Sequence, residues 1–266
     1  MSVALESATA VAARAARRPD DVRPGGARVV VVIQRKGGAG KSTLTVNLAA
    51  VSGESNPPAD PEGDSPVIAL GVDPQGSMEQ WARRVAAELL PFDYVVTKGR
   101  LGTLPELVKD PAVKRIWVDT PGFIDTDPDA DLDGDPLGAG RAGDAMREVL
   151  DYADLALVPI TTEFLSKDPA EYTIEYVLKP RGIPFMVVIN MWDSGSDGKT
   201  QKDLKKAEQW CDERGYPRAP RPVRKYKVHS NAAEDGLTVI QYPENGTSLR
   251  AREDIYKLAL AVERAL

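Results

Sequence analysis

The stretch RVVVVIQRKGGAGKSTLTVNLAAV, residues 28–51, joins an apolar run, a glycine-rich turn and a segment of helical length. In this order of strand, turn, GK[ST] and helix, backbone N–H groups curl around phosphate oxygens at a helix N-terminus. Lys41 supplies charge to the phosphates, and the Ser42 hydroxyl is placed to ligate Mg²⁺. The sequence therefore predicts a nucleotide site at residues 35–43; the alternative is a glycine turn that only connects a strand to a helix.

The loop contains two lysines, although a phosphate-binding loop needs only the one before the Ser/Thr. Lys41 fills that place, Lys36 is additional, and Arg35 stands where the usual G-x-x-x-x-G-K-[ST] spacing has its first glycine. With this departure, KGGAGKST resembles the deviant Walker A motif of the ParA/MinD family of ATPases. In that family the additional lysine reaches across a dimer interface to the partner's nucleotide. The resemblance implies that ATP binding and dimerisation are one event; the alternative is a surface lysine beside the loop.

Two other segments are similar to family motifs. GVDPQGSMEQW, residues 71–81, resembles D-x-D-P-Q, whose later aspartate, here Asp73, orients the attacking water near Mg²⁺. Gly71 replaces the earlier aspartate of that motif, and the alternative for Asp73 is a helix N-cap. RIWVDTPGF, residues 115–123, looks like the Walker B strand, in which Asp119 holds Mg²⁺ and TPG forms a switch-like turn.

VVINMWD, residues 187–193, resembles the family's adenine-reading segment, in which Asn190 would hydrogen-bond the base; the alternative is a turn cap. The resemblance thus implies ATP and Mg²⁺ as cofactors, with Lys36 and Asp73 as catalytic residues. The implied magnesium ligands are Ser42, Asp119 and Asp73. The implied nucleotide-binding residues are Lys36, Gly37, Gly38, Ala39, Gly40, Lys41, Ser42, Thr43 and Asn190.

Apolar runs without alternation recur along the chain and are typical of strands buried on both faces of a parallel sheet. These runs occupy residues 28–34, 66–73, 115–119, 155–160 and 185–190. Helical segments lie between and after them, at residues 41–51, 76–90, 141–152, 167–179 and 200–214. The pattern predicts an α/β fold, a doubly wound and mostly parallel sheet with helices on both faces. By resemblance it is a P-loop NTPase of the deviant Walker A type.

The sequence predicts a flexible basic N-terminal arm, residues 1–27, followed by a single domain, residues 28–266, which by resemblance is a ParA-like ATPase domain. Residues 52–66 are rich in Pro, Gly and acids and predict a solvated loop. Residues 125–135, DTDPDADLDGD, predict a flexible acidic loop. The alternative there is a calcium site, but the twelfth position of an EF-hand loop falls on Gly140, where a bidentate Glu is required.

Composition indicates an ordinary protein of the reducing cytoplasm. Of 266 residues, 42% are hydrophobic and 28% charged, and the formal net charge is -6. A single cysteine, Cys211, excludes an internal disulfide, and a single histidine, His229, leaves no His/Cys cluster for zinc. No apolar run approaches the roughly 20 residues of a spanning helix, and the N-terminal arm lacks the apolar core of a secretory signal.

One flank is basic although the whole chain is acidic. Residues 199–227 contain ten Lys/Arg and four Asp/Glu, which suggests a located anionic partner. Residues 217–246 resemble the C-terminal region of ParA proteins, where a basic segment precedes a small-residue turn, a Gly, a short apolar strand and a tyrosine. In that family this region binds DNA without sequence preference. The implied DNA-binding candidates are Arg221, Arg224, Lys225 and Lys227, and the alternative is a solvated charged surface.

The C-terminal stretch, residues 248–266, has apolar residues at helical spacing. MinD-type relatives end in a membrane-binding helix. Here the polar face carries mixed charge, which favours packing on the core over membrane binding.

The resemblance implies a ParA-like ATPase for plasmid or chromosome partitioning. Its ATP-bound homodimer would bind nonspecific DNA, and a ParB-like centromere-binding partner would stimulate slow hydrolysis to ADP and phosphate. The expected location is the cytoplasm, on the nucleoid, with no membrane partner. Three alternatives stay open: a positioning ATPase that recruits a protein machine, a MinD-like membrane switch, and a metabolic P-loop enzyme with a small-molecule acceptor.

Overall fold

A computed structural model describes residues 26–60, 63–72, 77–85, 90–97, 99–122, 135–138, 140–195 and 198–266. Three of the predictions made from the sequence lie outside these residues, wholly or nearly so. They concern the N-terminal arm up to residue 25, the catalytic aspartate Asp73, and the acidic loop up to Gly134.

The centre of the molecule is a six-stranded sheet in which every pair of neighbouring strands is parallel. Its order is β3-β2-β4-β1-β5-β6. The strands are β1 (Arg28–Val32), β2 (Val67–Gly71), β3 (Asp93–Val96), β4 (Arg115–Asp119), β5 (Leu155–Ile160) and β6 (Phe185–Ile189). The predicted doubly wound α/β fold is confirmed. Sequence reasoning missed β3, a four-residue edge strand that is only partly buried and so lacks a long apolar run.

The helices lie on both faces of this sheet. They are α1 (Lys41–Ser55), α2 (Ser77–Ala82), α3 (Thr103–Lys109), α4 (Arg141–Tyr152), α5 (Lys167–Tyr172), α6 (Gly198–Glu213), α7 (Val228–Glu234) and α8 (Gly246–Ala265). After α5 the chain continues as a π-helical segment, Thr173–Leu178, and a short 3₁₀ turn, Lys179–Arg181. The predicted helix at residues 167–179 is therefore present, with a widened second half.

Two predicted boundaries are wrong. The loop predicted at residues 52–66 begins only after Ser55, because the end of α1 is still packed on the core. Ser52 accepts a 3.0 Å hydrogen bond from the Trp117 indole, and Gly53 lies so close to Pro91 that a side chain would strike the Pro91 carbonyl. The helix predicted at residues 76–90 ends at Ala82 and is followed by a turn.

Alternate residues along each strand supply two separate cores, one on each face. On one face, side chains such as Val31, Val118 and Val158 pack with the inner sides of α3, α4, α5 and α6. On the other, Val32 and Leu157 pack with α1, α2, α7 and α8. The apolar side of α8 is part of this second core, which confirms that the C-terminal helix packs on the domain. None of the helices in the described part of the chain has both the length and the apolar composition of a membrane-spanning segment.

The prediction of a short strand near the C-terminus is wrong: residues 231–242, NAAEDGLTVIQY, contain no strand. The small residues belong to α7, and Val239 and Ile240 form a buried turn. The Val239 N–H donates to the Asn47 side chain on α1 at 2.8 Å, so its partner is a side chain and not a neighbouring strand. Val239 and Ile240 are thus buried although they do not pair with a neighbouring β-strand.

The basic flank is held to the domain by an ion pair between Arg224 and α8. The Arg224 guanidinium donates to both carboxylate oxygens of Asp254, at 2.7 and 2.8 Å, and the Arg224 backbone N–H donates to the same carboxylate at 3.0 Å. The Asp254 side chain is 5% exposed. Hydrogen bonding to this carboxylate, the largest cause, raises the pKa of Arg224 above its usual value. Arg224 is therefore part of the fold.

Replacement of Asp254 by Ala should lower the free energy of unfolding by about 3 kcal/mol, because it leaves a largely buried guanidinium without its main partner. Glu253→Ala is the matched control: Glu253 touches the same arginine but is half exposed, so its loss should lower the free energy of unfolding far less than the loss of Asp254 does. Urea denaturation of both variants measures the difference. Equal losses would contradict a structural role for this pair.

Candidate nucleotide site

The glycine loop between β1 and α1 is shaped by two residues in the left-handed region, Gly38 at φ 79° and Gly40 at φ 81°. Gly40 also meets Asn190, which follows β6: a Cβ on Gly40 would lie 2.4 Å from the Asn190 Nδ2. The Asn190 amide is 4% exposed and donates to the Ala39 carbonyl at 2.8 Å. The Asn190 side chain, which follows β6 and so lies two strands away from β1 in the sheet, therefore fixes the second half of the loop.

Lys41 lies inside the loop and is only 7% exposed. Its ammonium donates to the carbonyls of Gln34 and Lys36, each at 3.3 Å. A buried ammonium is stable only where oxygen atoms surround it. Lys36 differs in being half-buried, and it lies beside the exposed Gly37 and Gly38. The two lysines thus occupy different places, one within the loop and one at its outer side.

Asp119 ends β4 at the same edge of the sheet. Its strand runs between β1 and β2, so Asp119 is in register with Val32 on one side and Gly71 on the other. It is 1% exposed. After Asp119, the Thr120 hydroxyl donates to the Val32 carbonyl at 2.9 Å. The turn that follows then reaches the loop.

The TPG turn and the phosphate loop are in close contact. A Cβ on Gly122 would lie 3.2 Å from the Gly37 backbone nitrogen and 3.4 Å from the Arg35 carbonyl. A larger residue at Gly122 would therefore press on the first half of the loop. The turn that the sequence predicts to act as a switch is therefore in direct contact with the backbone of the phosphate loop.

Gly71 replaces the first aspartate of the family's second motif, and the packing of Met78 explains why a glycine stands there. A Cβ at this position would lie 2.7 Å from the Met78 sulfur and 3.1 Å from the Met78 Cβ. The space of an aspartate side chain is thus filled by α2. The backbone of Gly71 continues the sheet, and its carbonyl accepts from the Thr97 N–H at 2.9 Å.

The residues gathered at this edge fit a nucleotide with a divalent cation. Left-handed glycines bring backbone N–H groups to a helix N-terminus, and a buried ammonium lies among them. The Ser42 hydroxyl, at the start of α1, and the Asp119 carboxylate are oxygen donors of the kind that Mg²⁺ prefers. The carboxyl ends of parallel strands are also where α/β sheets bind ligands.

Comparison with known proteins is consistent with this geometry. No family model matches the chain. The maintenance of carboxysome distribution protein A of Gloeobacter kilaueensis is 30% identical over 231 residues, which cover 86% of this chain and 91% of that protein. The chain belongs to the ParA/MinD family of ATPases.

Solved structures show the same fold at lower identity. MinD of Aquifex aeolicus superposes with a TM-score of 0.59 at 16% identity, covering 90% of this chain and 98% of that one. A plasmid partition protein of Borrelia burgdorferi bound to AMPPNP has a TM-score of 0.58 at 14% identity, and the match covers 89% of this chain and 99% of that one. The Cyanothece McdA–ATP complex has a TM-score of 0.58 at 13% identity, and the match covers 91% of this chain and 96% of that one. The resemblance inferred from the deviant loop is confirmed.

The structure adds to this ParA/MinD site a contact that the motifs did not predict. The Arg35 N–H donates to the Thr173 hydroxyl at 3.2 Å, and the Arg35 guanidinium lies 4.1 Å from the centre of the Tyr172 ring. The Gln34 side chain, fully buried, donates to the Pro159 carbonyl at 3.1 Å. Arg35, which displaces the first motif glycine, is thus fixed from outside the loop.

Thr173 is a positioning residue by this geometry. It is fully buried at the point where α5 widens into the π-helical segment, and its hydroxyl donates to the Pro169 carbonyl at 2.8 Å while it accepts from Arg35. π-Helical turns are often found at functional sites. The sequence gives no signal for this role, because Thr173 is one polar residue in an otherwise ordinary helical pattern.

Thr173→Val should raise the dissociation constant for ATP about tenfold, because the isosteric valine cannot accept the Arg35 N–H that fixes the start of the loop. Thr173→Ser keeps the hydroxyl and should stay within about twofold of wild type. Titration of each purified variant with ATP, after urea denaturation has shown it to be folded, measures the effect. Wild-type affinity in the valine variant would contradict the positioning role.

Proposed function

We propose that this chain is a nucleotide-gated positioning ATPase. ATP and Mg²⁺ bind between two copies, the dimer binds nonspecific DNA, and a partner protein that carries the cargo stimulates hydrolysis and release. The observation that carries the proposal is the loop with two lysines in different places: Lys41 buried within it, and Lys36 at its outer side. A cation at that outer side can reach a phosphate held by a second copy that faces the loop.

Each residue of the site has a proposed part in this reaction. Lys41 and the loop backbone bind the phosphates of ATP, and Ser42 and Asp119 hold Mg²⁺, which neutralises charge on the phosphoryl group. Asp73 follows β2 in the chain and orients the attacking water. Lys36 stabilises the charge that develops on the partner's phosphoryl group. Asn190 keeps its predicted contact with adenine as a further proposal, in addition to its contact with the loop.

The DNA-binding surface that we propose is the exposed part of the basic flank. Arg221, Lys225 and Lys227 are exposed, whereas Arg224 is held by Asp254 and is left out of this surface. Clustered cations give affinity for phosphate backbones that depends on salt and not on sequence. A dimer presents two such clusters, so the affinity rises when ATP joins two copies.

The cargo that we propose is a protein assembly. The relative that shares 30% identity is named for maintenance of carboxysome distribution, and that name favours the positioning alternative over plasmid or chromosome partitioning. On this proposal DNA is the track on which the dimer is held, which places the protein on the nucleoid. A ParB-like partner stays a prediction from the sequence.

DNA binding is measured on a nonspecific duplex, with ADP and with ATP, at two salt concentrations. We expect binding that needs ATP, weakens with salt and falls at least tenfold when Arg221, Lys225 and Lys227 are replaced by Ala. The control replaces three exposed cations elsewhere, Arg100, Lys109 and Lys114, with the same change in net charge.

Equal loss in both triple variants would show that only net charge matters and would contradict a located DNA surface. Equal binding with ADP and ATP would contradict the nucleotide gate. Retention of binding in the control, with loss in the flank variant, supports the proposal.

A further inference from the structure

Two large apolar side chains are exposed just after β5, the strand next to β1. Phe164 is 73% exposed and Leu165 is 67% exposed, and they are adjacent in the short 3₁₀ turn, Phe164–Ser166, that follows β5. This exposure is not a property of a loose segment. The next residue, Ser166, is buried, and its hydroxyl accepts the Thr161 N–H at 2.8 Å, which closes the turn. The fold therefore holds the pair Phe164 and Leu165 outward.

The segment that carries the exposed pair is tied to the phosphate loop on both sides. Before the pair, the Pro159 carbonyl accepts from the Gln34 side chain at 3.1 Å. After it, the Tyr172 ring and the Thr173 hydroxyl contact Arg35. Gln34 and Arg35 immediately precede Lys36. A body that covers the outer side of the loop and reaches Lys36 therefore lies beside the exposed pair.

Charge around the pair fits a second copy of this chain. Exposed carboxylates flank it on its own segment, at Glu163 and Asp168, and the loop contributes the cations Arg35 and Lys36. A two-fold interface brings the same patch of both copies together, so it has to be self-complementary. A patch with both signs meets that condition. Because the two carboxylates offset the two cations, the patch lacks the excess positive charge that would attract DNA or an anionic membrane.

We propose that Phe164 and Leu165 are an apolar contact of the ATP-dependent dimer, in which the pair packs against the second copy beside the shared nucleotides. The inference rests on the proposed nucleotide-gated dimer and names the side chains that hold it. Lys36 supplies charge to the partner's nucleotide, and the pair supplies the hydrophobic contact that keeps the two copies in place. Through Arg35, Tyr172 and Thr173, the position of the pair is linked to the loop that binds the phosphates.

The test measures dimerisation by sedimentation velocity with Mg²⁺ and a non-hydrolysable ATP analogue. We expect Phe164→Ser combined with Leu165→Ser to raise the dimer dissociation constant at least roughly 100-fold, because each side chain is buried twice in a two-fold interface. Binding of ADP, which needs one copy only, should stay within about twofold of wild type.

The matched control is Leu249→Ser combined with Leu260→Ser. Both leucines are about half exposed on α8, at 49% and 53%, and α8 packs on the face of the sheet opposite to α5. This variant also removes two exposed apolar side chains and should dimerise as wild type does. Loss of the dimer in both variants would show a nonspecific effect and would overturn the inference.

The outcomes separate the inference from the function on which it rests. A wild-type chain that stays monomeric with the ATP analogue contradicts the nucleotide-gated dimer itself, and the inference with it. A wild-type chain that dimerises, together with a Phe164 and Leu165 variant that dimerises equally well, overturns the inference alone. In that case the exposed pair would contact a protein other than a second copy of this chain.

Discussion

The burial of the Lys41 ammonium is the constraint on which the rest of the site depends. A cation that is 7% exposed needs oxygen atoms around it, and the carbonyls of Gln34 and Lys36 can supply them only if the loop keeps one conformation. Glycines alone do not ensure this, since they widen the range of backbone angles. The loop is therefore held by residues that lie far away in the chain, Asn190 after β6 and Thr173 after α5.

The parallel sheet brings these distant residues together. Its strands all point the same way, so the ends of β1, β4, β5 and β6 meet at one edge. The loop follows β1 directly, and residues after β4 and β6, Gly122 and Asn190, contact it there. The same arrangement places the exposed turn after β5 at the edge of the sheet that carries the loop. The common direction of the strands thus places the phosphate site and the proposed dimer surface at the same edge of the sheet.

Sequence reasoning predicted the elements whose signals are local. The phosphate loop and five of the strands were predicted, because apolar runs and glycine spacing are visible in a short window. It missed β3, whose edge position removes the apolar signal, and it misplaced the end of α1, whose extension depends on Pro91 and Trp117. The charge of Arg224 is visible in the sequence and predicts a DNA contact, whereas its pairing with Asp254 depends on the tertiary fold.

The central claim is that Lys36 acts on the nucleotide of the other copy. The most direct measurement is ATP turnover in a mixture of Lys36→Ala and Lys41→Ala chains. Neither variant should turn over ATP alone. A mixed dimer, however, contains one site with Lys41 from one copy and Lys36 from the other, so turnover should reappear on mixing. A mixture as inactive as its components, or activity of Lys36→Ala alone, would contradict the account.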